Sequence, residues 1–536
     1  MSVWTGKFIL DGQSEVQIPL ENESKLKLSR TDESINIAII GGGVIGFYHL
    51  LNTIDHFRSA SQDEVNIHWF DKRGYFAEGK EFSVKQPAFK LALCPAGKID
   101  LIQSQWEQSK IKIPAYLVFF KWLNHKLKTR NLEAVPFDWI SKRVLGRYLQ
   151  EMLSALQEAM PPHVHLHFHI AEVVGFDGKN ASIKVKKGFN AKPVNMEFKE
   201  VKIGLEPYPV EKLADEKPLV VFAASSRTAS YYGNPKRNCE AFKAIRITDR
   251  VLISASNEYF YDCLFSITEG RGGKFTIRGG NLAYDKSGNE PMSIFPIFPI
   301  GLPVLTDSYV KPPPMEFKAL TESWESVLLE KADTSKINFR QDVYQYLVQE
   351  ILLLDDTGEL SQSSDVLDFY LSNLLEPHTT NHADFHEMTL DNLKKSIEGE
   401  PPKHAFSLSE IWRKTSAVIS RIEKKNGFSD GFYGEFISKY KERLDWLNLK
   451  VPPLYIWKIL ALAEARIVFF RLGNDTFVSG DLIRGMFRAS CYQTKYEKHS
   501  NIYINTSGVY NPNIVKDADI FNLSQECLVK GKLKLP

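Results

Sequence analysis

The sequence predicts an α/β fold, and three stretches carry that prediction. Ile35 to Gly46, INIAIIGGGVIG, runs from a strand of alternating and then continuous apolar residues into a glycine turn, followed by FYHLLNTIDHF, an amphipathic helix. Val65 to Phe70, VNIHWF, reads as the next strand and ends in Asp71. Around residue 245 a second such pattern opens, with Val251 to Ile253 as a buried strand and Glu258 to Thr268 as the helix after it. Strands alternating with helices in this way build parallel sheets.

At 536 residues the chain exceeds one ordinary core, and two or three domains are expected. The 67 Lys and Arg residues against 65 Asp and Glu leave a net charge of +2, which excludes a global pull toward nucleic acid or acidic membranes. Cys94, Cys239, Cys263, Cys491 and Cys527 are odd in number and lack C-x-x-C spacing, so neither a disulfide framework nor a structural zinc site is indicated. The start, MSVWTGKFILDG, does not read as a signal peptide, and no apolar run approaches the ~18 residues of a membrane span. A reduced, soluble, cytoplasmic protein is expected, with no membrane partner.

Residues 1–34 are polar and read as an extension. In the strand–turn–helix that follows, Gly41 allows a tight turn, Gly43 lets the backbone approach a pyrophosphate, and Gly46 lets helix and strand pack closely. Val44 and Ile45 open the helix, whose N-terminal N–H groups and partial positive charge suit phosphates. Asp71, followed by Lys72, stands where an acid accepts hydrogen bonds from both ribose hydroxyls of an adenosine. It would repel a 2′-phosphate, so the site suits FAD or NAD better than NADP.

Further on, Pro95-Ala96-Gly97 is a small-residue turn, equally an ordinary turn or one that a flat ring approaches closely. Residues 136–160 form an amphipathic helix with Leu145, Leu149, Met152, Leu153 and Leu156 as its apolar stripe. Arg143 and Arg147 share one face of it, suited to an anion or simply to solvent. His163, His165, His167 and His169 alternate along one strand face. No Cys or carboxylate joins them at ligand spacing, so a half-exposed strand is favoured over a metal site. Residues 171–222 continue as short strands and end in the run Leu219-Val220-Val221-Phe222.

In the second αβ pattern the turn Ser254-Ala255-Ser256-Asn257 contains no glycine, and its backbone cannot come as close to a pyrophosphate. Gly270 to Gly273 and IFPIFPIGLP read as a long loop region. Residues 311–450 are charged and helical, and His378, His382 and His386 fall four apart in a loop-like context that disfavours metal. Residues 451–470 read as a proline-started helix followed by a strand. IYINTSGVY then reads as a strand, and a short helix closes the chain.

With these residues in view, the chain from about residue 35 onward resembles the FAD/NAD(P)-binding flavoproteins related to bacterial N-hydroxylating monooxygenases. The stretches that carry the resemblance are IAIIGGGVIG with Asp71, LALCPAGKIDL, KRVLGRYLQEML, ITEGRGGKF with SGNEP, and ILALAEARIV with YINTSG. The resemblance implies a Rossmann-like FAD-binding domain with a second, inserted Rossmann-like domain and a helical region. It also implies reduction of the flavin by NAD(P)H and hydroxylation of a substrate amine. On this template Gly41, Gly43, Val44, Ile45, Gly46, Asp71 and Lys72 bind the ADP half of FAD. Pro95, Ala96 and Gly97, Arg143 and Arg147, the backbone of Val173, and Ala224 complete the cofactor site.

The departures from the pattern are specific. Ala255-Ser256-Asn257 replaces a Gly-x-Gly turn, Phe298-Pro299 replaces a Ser-Arg pair before Ile300-Gly301-Leu302-Pro303, Leu93 replaces an Asn, and Ala223-Ala224-Ser225 replaces Ala-Thr-Gly. FAD binding is therefore expected and NAD(P)H binding is doubtful. The expected division is an extension (1–34), an FAD domain (35–245), a degenerate NAD(P)-like domain (246–310), a helical region (311–450) and a closing segment (451–536). The expected activity is an FAD-dependent oxidation, monooxygenase-like or oxidase-like, of a small polar amine or amino-acid-derived substrate, with electrons from a separate reductase or partner protein, from a free reduced flavin, or from the substrate itself as in an oxidase. The alternative is a non-catalytic flavoprotein or partner subunit that keeps FAD as a structural ligand. No residue stands out as a general base or nucleophile, since flavin oxygenation draws largely on the cofactor's own chemistry.

Overall fold

In the structure, a computed structural model, Ile37 and Ile39 of β1 (Ile35–Ile40) belong to one apolar cluster, and Ala38 and Ile40 belong to another. A strand that is apolar on both faces, as β1 is from Ile37 to Ile40, can do this, because successive side chains leave opposite faces. β1 pairs in parallel with β2 (Val65–Asp71) and with β7 (Glu200–Ile203), and β2 pairs in parallel with β3 (Val164–Ile170). The strand order is β3-β2-β1-β7. One cluster gathers α1 (Val44–Phe57), α2 (Phe119–Lys128) and α3 (Lys142–Glu158). The expected stripe of α3, Leu145 to Leu156, is buried in it. Each such side chain contributes about 2 kcal/mol on burial, far more than helix propensity does. The other cluster forms beneath an antiparallel sheet of β4 (Glu172–Asp177), β5 (Ser182–Lys186) and β6 (Val194–Glu197), through Val173, Ile183, Val185 and Met196.

The described residues are 34–58, 63–92, 96–100, 111, 117–128, 132–134, 139–188, 191–204, 211–233, 239–255, 259–298, 301, 303, 315–354, 365–372, 381–398, 403–449, 451–473 and 476–506. The expected N-terminal extension and final helix, Pro95, Ser256-Asn257 and His378 lie outside them. The chain divides into two compact units, Met1–Leu213 with Val509–Pro536, and Ala214–Gly508.

The second unit has its own parallel sheet of β8 (Ser230–Gly233), β9 (Arg250–Ser254), β12 (Ser293–Ile297) and β16 (Ile502–Asn505), in the order β12-β9-β16-β8. α4 (Glu211–Ser225) precedes it and α5 (Tyr259–Ser266) follows β9. The helical region comprises α6 (Glu322–Thr334), α7 (Gln345–Leu352), α8 (Val366–Ser372), α9 (His382–Glu398), α10 (Lys403–Glu423), α11 (Phe432–Phe436) and α12 (Glu442–Asn448). α13 (Pro453–Glu464) starts at its expected proline. β13 (Thr476–Asp481), β14 (Met486–Cys491) and β15 (Tyr496–Ser500) form an antiparallel sheet. Among the described residues, no helix is long and apolar enough to cross a membrane.

Three expectations about secondary structure are corrected. Leu219–Phe222 is not a strand but part of α4. A four-residue apolar run fits either state, and the helix formers of Glu211–Lys217 carry the helix through it. Gly270–Gly273 and IFPI are not one loop. They flank a hairpin of β10 (Lys274–Arg278) and β11 (Asn281–Asp285), and IFPI is β12 itself. Pro296 is tolerated there because its nitrogen points the same way as the Ile294 N–H, which bonds Ile467 rather than β9. The histidine strand is shorter than expected, since His163 precedes β3 and bonds the Phe57 carbonyl at 3.0 Å.

Candidate functional site

The glycine turn connects β1 to α1, and its glycines are required for different reasons. Gly41 has φ +105°, in the left-handed region. Its N–H donates to the Phe70 carbonyl (2.8 Å), and its own carbonyl accepts the Trp69 indole N–H (2.7 Å). A Cβ on Gly46 would lie 1.9 Å from that carbonyl, and one on Gly42 would lie 2.6 Å from the Tyr75 carbonyl. Gly43 differs. Its backbone (φ −79°, ψ −171°) suits any residue, and a Cβ there would meet only the Gly79 Cα, at an ordinary 3.9 Å. Nothing in the described protein requires glycine at 43. The space beside it is what a close-approaching ligand would use. Val44 and Ile45 begin α1, which has no side-chain cap and no acidic residue in its first turn. Its first N–H groups have no intrahelical partners, and the helix end is electropositive.

Asp71 organises the loop beyond β2. Its Oδ1 accepts from the N–H groups of Arg73 (2.8 Å) and Tyr75 (3.0 Å), and its Oδ2 accepts from Gly42 (3.1 Å). A carboxylate has about four acceptor positions, so one remains for a ribose hydroxyl. The Tyr75 carbonyl accepts from Gly79 N–H (3.0 Å), and a Cβ on Gly79 (φ +60°) would press to 2.9 Å from the Gly43 Cα. The same loop reaches α3. A Cβ on Gly146 would lie 1.8 Å from the Phe82 carbonyl, and Gln150 donates to Glu78 Oε2 (3.0 Å). Thus residues 71–84 join the glycine turn to the helix that carries Arg143 and Arg147.

Several of these residues escaped the sequence reading. Glu78 is buried, and burial pushes its carboxyl up to about 7 despite the opposing Val84 N–H, Ser83 hydroxyl and Lys85 charge. Gly204 follows β7, and a Cβ on it would lie 2.6 Å from the Gly46 nitrogen. The strand closing the sheet beside β1 therefore ends at Gly204, not at Ala223-Ala224-Ser225. The glycine after VKI was its only signal, and the longer apolar run downstream drew attention from it. Ala224 is exposed, in the last turn of α4, and belongs to the second unit.

The remaining expected residues are placed as follows. Lys72 pairs with Glu172 of β4 at 2.5 Å. Ala96 is buried and Gly97 exposed in the short turn Ala96–Lys98. Val173 is buried in the second apolar cluster, beside a register shift in β4. Arg143 and Arg147 lie on one face of α3; burial and then the Arg147 charge lower the Arg143 pKa. The histidines find separate partners. His165 meets Glu64 (2.6 Å), His167 meets Asn66 (3.1 Å), and His169 meets His68 (2.9 Å). Burial, then neighbouring histidines, lowers His68 to about 3; burial, then the charges of His167 and Lys187, lowers His169 to about 4. His386 accepts from the Phe470 N–H (3.1 Å), and His382 stacks on Tyr496. Among the described residues, no His, Cys, Asp or Glu group is arranged to hold a metal.

In the second unit, the motifs ITEGRGGKF and SGNEP meet each other, and the first also meets α13 at Lys458, the residue before ILALAEARIV. Glu290 accepts from Tyr284 hydroxyl (2.8 Å) and from the N–H groups of Ser287 (2.7 Å) and Gly288 (2.9 Å). Gly273 makes room for that tyrosine, since a Cβ there would lie 1.7 Å from its hydroxyl. Lys458 of α13 is buried and pairs with Glu269 while lying over the rings of Phe265 and Phe275. These motifs therefore hold the β10–β11 hairpin against α13. In the glycine-free turn, Ser254 ends β9 and Ala255 is fully buried and donates its N–H to the Ile297 carbonyl (2.7 Å).

No curated protein matches the chain. Among solved structures, the ornithine N-hydroxylase of Kutzneria sp. 744 is similar with 10% identity and a TM-score of 0.36, over 89% of this chain and 81% of that one. The ornithine hydroxylase of Pseudomonas aeruginosa aligns at 10% identity and a TM-score of 0.37, over 89% and 83% of the two chains. The cadaverine monooxygenase of Erwinia amylovora aligns at 12% and 0.33, over 91% and 81%. At these scores the likenesses by themselves establish neither fold nor substrate. Residues 38–202, from β1 to β7 of the first unit, match the family described as FAD-NAD(P)-binding.

Proposed function

We propose that the chain is an FAD-dependent oxidoreductase, monooxygenase-like, that acts on a small polar amine or amino-acid-derived substrate. The observation that carries the cofactor is Gly43, a glycine the protein's own packing does not need, at the N-terminus of a helix without acidic residues in its first turn. A pyrophosphate held at Gly41, Gly43 and the N–H groups of Val44, Ile45 and Gly46 would account for it. Asp71 would use its remaining acceptor position on a ribose hydroxyl. Lys72, Pro95, Ala96, Gly97, Arg143, Arg147 and Val173 would border the rest of the molecule, with the two arginines facing its anionic parts. FAD supplies the electron transfer when bound; the protein's share is to orient it and exclude water. The substrate class rests on the resemblance of the motifs.

The absence of a glycine at Ser254-Ala255-Ser256-Asn257 supports weak direct use of NAD(P)H, with electrons arriving from a separate reductase or partner. The same feature supports the second reading, a non-catalytic flavoprotein. Purified protein should be yellow, with one FAD released per chain on denaturation. A colourless protein that takes up no FAD on incubation overturns the reading. Anaerobic mixing with NADPH should bleach the flavin slowly; rapid bleaching refutes the weakness of the second nucleotide site. Oxygen consumption with small amines separates the enzyme from the non-catalytic alternative.

A further inference from the structure

A second cluster of charge lies in the second unit, away from its nucleotide-like turn. β9 ends at that turn, and Arg250 is at its opposite end. In the parallel register Arg250 stands opposite Ser293, so it shares a sheet face with Phe295 two residues further along β12. Lys498 of β15 places its Nζ 4.5 Å from the centre of the Phe295 ring. That ring stacks on Phe469 (5.6 Å) and lies 6.4 Å from Tyr496. Arg471 holds its guanidinium 5.8 Å from the Phe469 and Tyr496 rings. His382 stacks on the Tyr496 ring at 4.6 Å.

Lys498 and Arg471 thus lie over one aromatic layer, and Arg250, from a third chain segment, stands on the sheet face that presents Phe295. All three are half-buried, and among the described residues none has a hydrogen bond or ion pair to its charged head. Burial, and then Arg250 and Arg471, lower the pKa of Lys498. Asp249, next to Arg250 in sequence, is held by Arg246 (3.2 Å), while Asp384 and Glu387 act on His382 and His386, on which Arg471 acts too. On β15, Glu497 points to the opposite face from Lys498 and lies 3.7 Å from His499. Gathered like charges without a counter-ion are unfavourable, and a bound anion removes the penalty.

We propose that Arg250, Arg471 and Lys498 form a binding site for a phosphate-type dianion, free or as a small phosphate ester. Two guanidinium forks and one ammonium match a tetrahedral oxyanion in charge and in donors. The site is independent of the flavin reading.

The full chain would be titrated with inorganic phosphate and with glycerol 3-phosphate, following thermal stability and 31P line width, with sodium chloride at matched ionic strength as the control. Saturable binding beyond the chloride effect is expected for wild type. The double variant Arg250→Gln with Lys498→Gln should raise the apparent Kd at least about tenfold, the usual scale for charge-assisted contacts. Lys498→Arg should retain binding, which distinguishes a lost charge from a damaged fold. Tighter binding of the ester assigns a phosphate ester as the ligand, and the reverse assigns free phosphate. A phosphate effect no larger than that of chloride, or a double variant that binds as well as wild type, overturns the proposal. FAD content should be the same in all variants, so failure here leaves the flavin assignment standing.

Discussion

Replacing Glu78 by glutamine isolates the one buried carboxyl of the loop behind the glycine turn. The residue is 4% exposed, and its pKa rises from 4.5 to about 7 in the folded protein. Between these values the folded chain keeps a proton that the unfolded chain has released. Stability from this group is therefore complete below pH 4.5 and declines as pH rises toward 7. At about 1.4 kcal/mol per pH unit the decline totals ~3 kcal/mol. An amide in place of the carboxyl would keep an acceptor for the Val84 N–H and the Gln150 amide, which both bond Oε2, and would carry no charge. Glu78→Gln should therefore flatten this part of the profile and exceed wild type by about 1–3 kcal/mol at pH 8. Hydrogen exchange of the amides between residues 41 and 84, compared from pH 5 to 8 after correction for intrinsic rates, reads the local stability directly. His68 and His169 act in the opposite sense, because their neutral forms favour the fold above pH 6.5 and that gain is lost as pH falls toward 4. They are common to both proteins, so they cancel in the difference. Parallel pH profiles for wild type and variant would refute the argument.

Gly43→Ala should leave the melting temperature within a degree or two yet abolish FAD retention, whereas Gly46→Ala should lose both, since its Cβ would lie 1.9 Å from the Gly41 carbonyl; flavin absorbance and thermal unfolding separate the two. Trp69→Phe keeps the ring packed on Phe47 (6.2 Å) but deletes the indole bond to Gly41. It should cost about 1–2 kcal/mol by chemical denaturation. In the second unit Glu269→Gln should destabilise more than Lys458→Met. The lysine side chain is 6% exposed and the glutamate 30%, so losing the acid strands a buried charge at about 3 kcal/mol, while losing the base strands one that water reaches. Equal effects in denaturant titrations would contradict this.

The parts legible in the sequence are those where one pattern admits one structure. Ile35–Ile40 is apolar at nearly every position and followed by glycines, and a strand buried on both faces satisfies that. The α3 stripe repeats at helical spacing over several turns, so its burial was readable too. What could not be read depends on contacts distant in sequence. Gly204 matters because it meets Gly46, and Glu78 matters because Gln150 and Val84 enclose it; neither neighbour is marked in the local sequence. The run at Leu219–Phe222 misled for a local reason, since four apolar residues carry no period. Asp71 was readable as the acid at a strand end. Its hold on Gly42, Arg73 and Tyr75 required the loop's path.

The placement of β16 has a consequence for synthesis. Ile502–Asn505 lies between β8 and β9, whose residues leave the ribosome some 250 positions earlier, at about 5–20 residues per second. Until residue 505 emerges, both neighbours present unpaired edges toward an empty central position, the arrangement most open to pairing with other chains. The sheet can close only when nearly all of the second unit has been made, so a chain stopped anywhere before Ile502 lacks the middle of the sheet rather than its margin. Such fragments would be captured by chaperones or aggregate, while the β1–β7 sheet, complete by Ile203, could already have formed on the nascent chain.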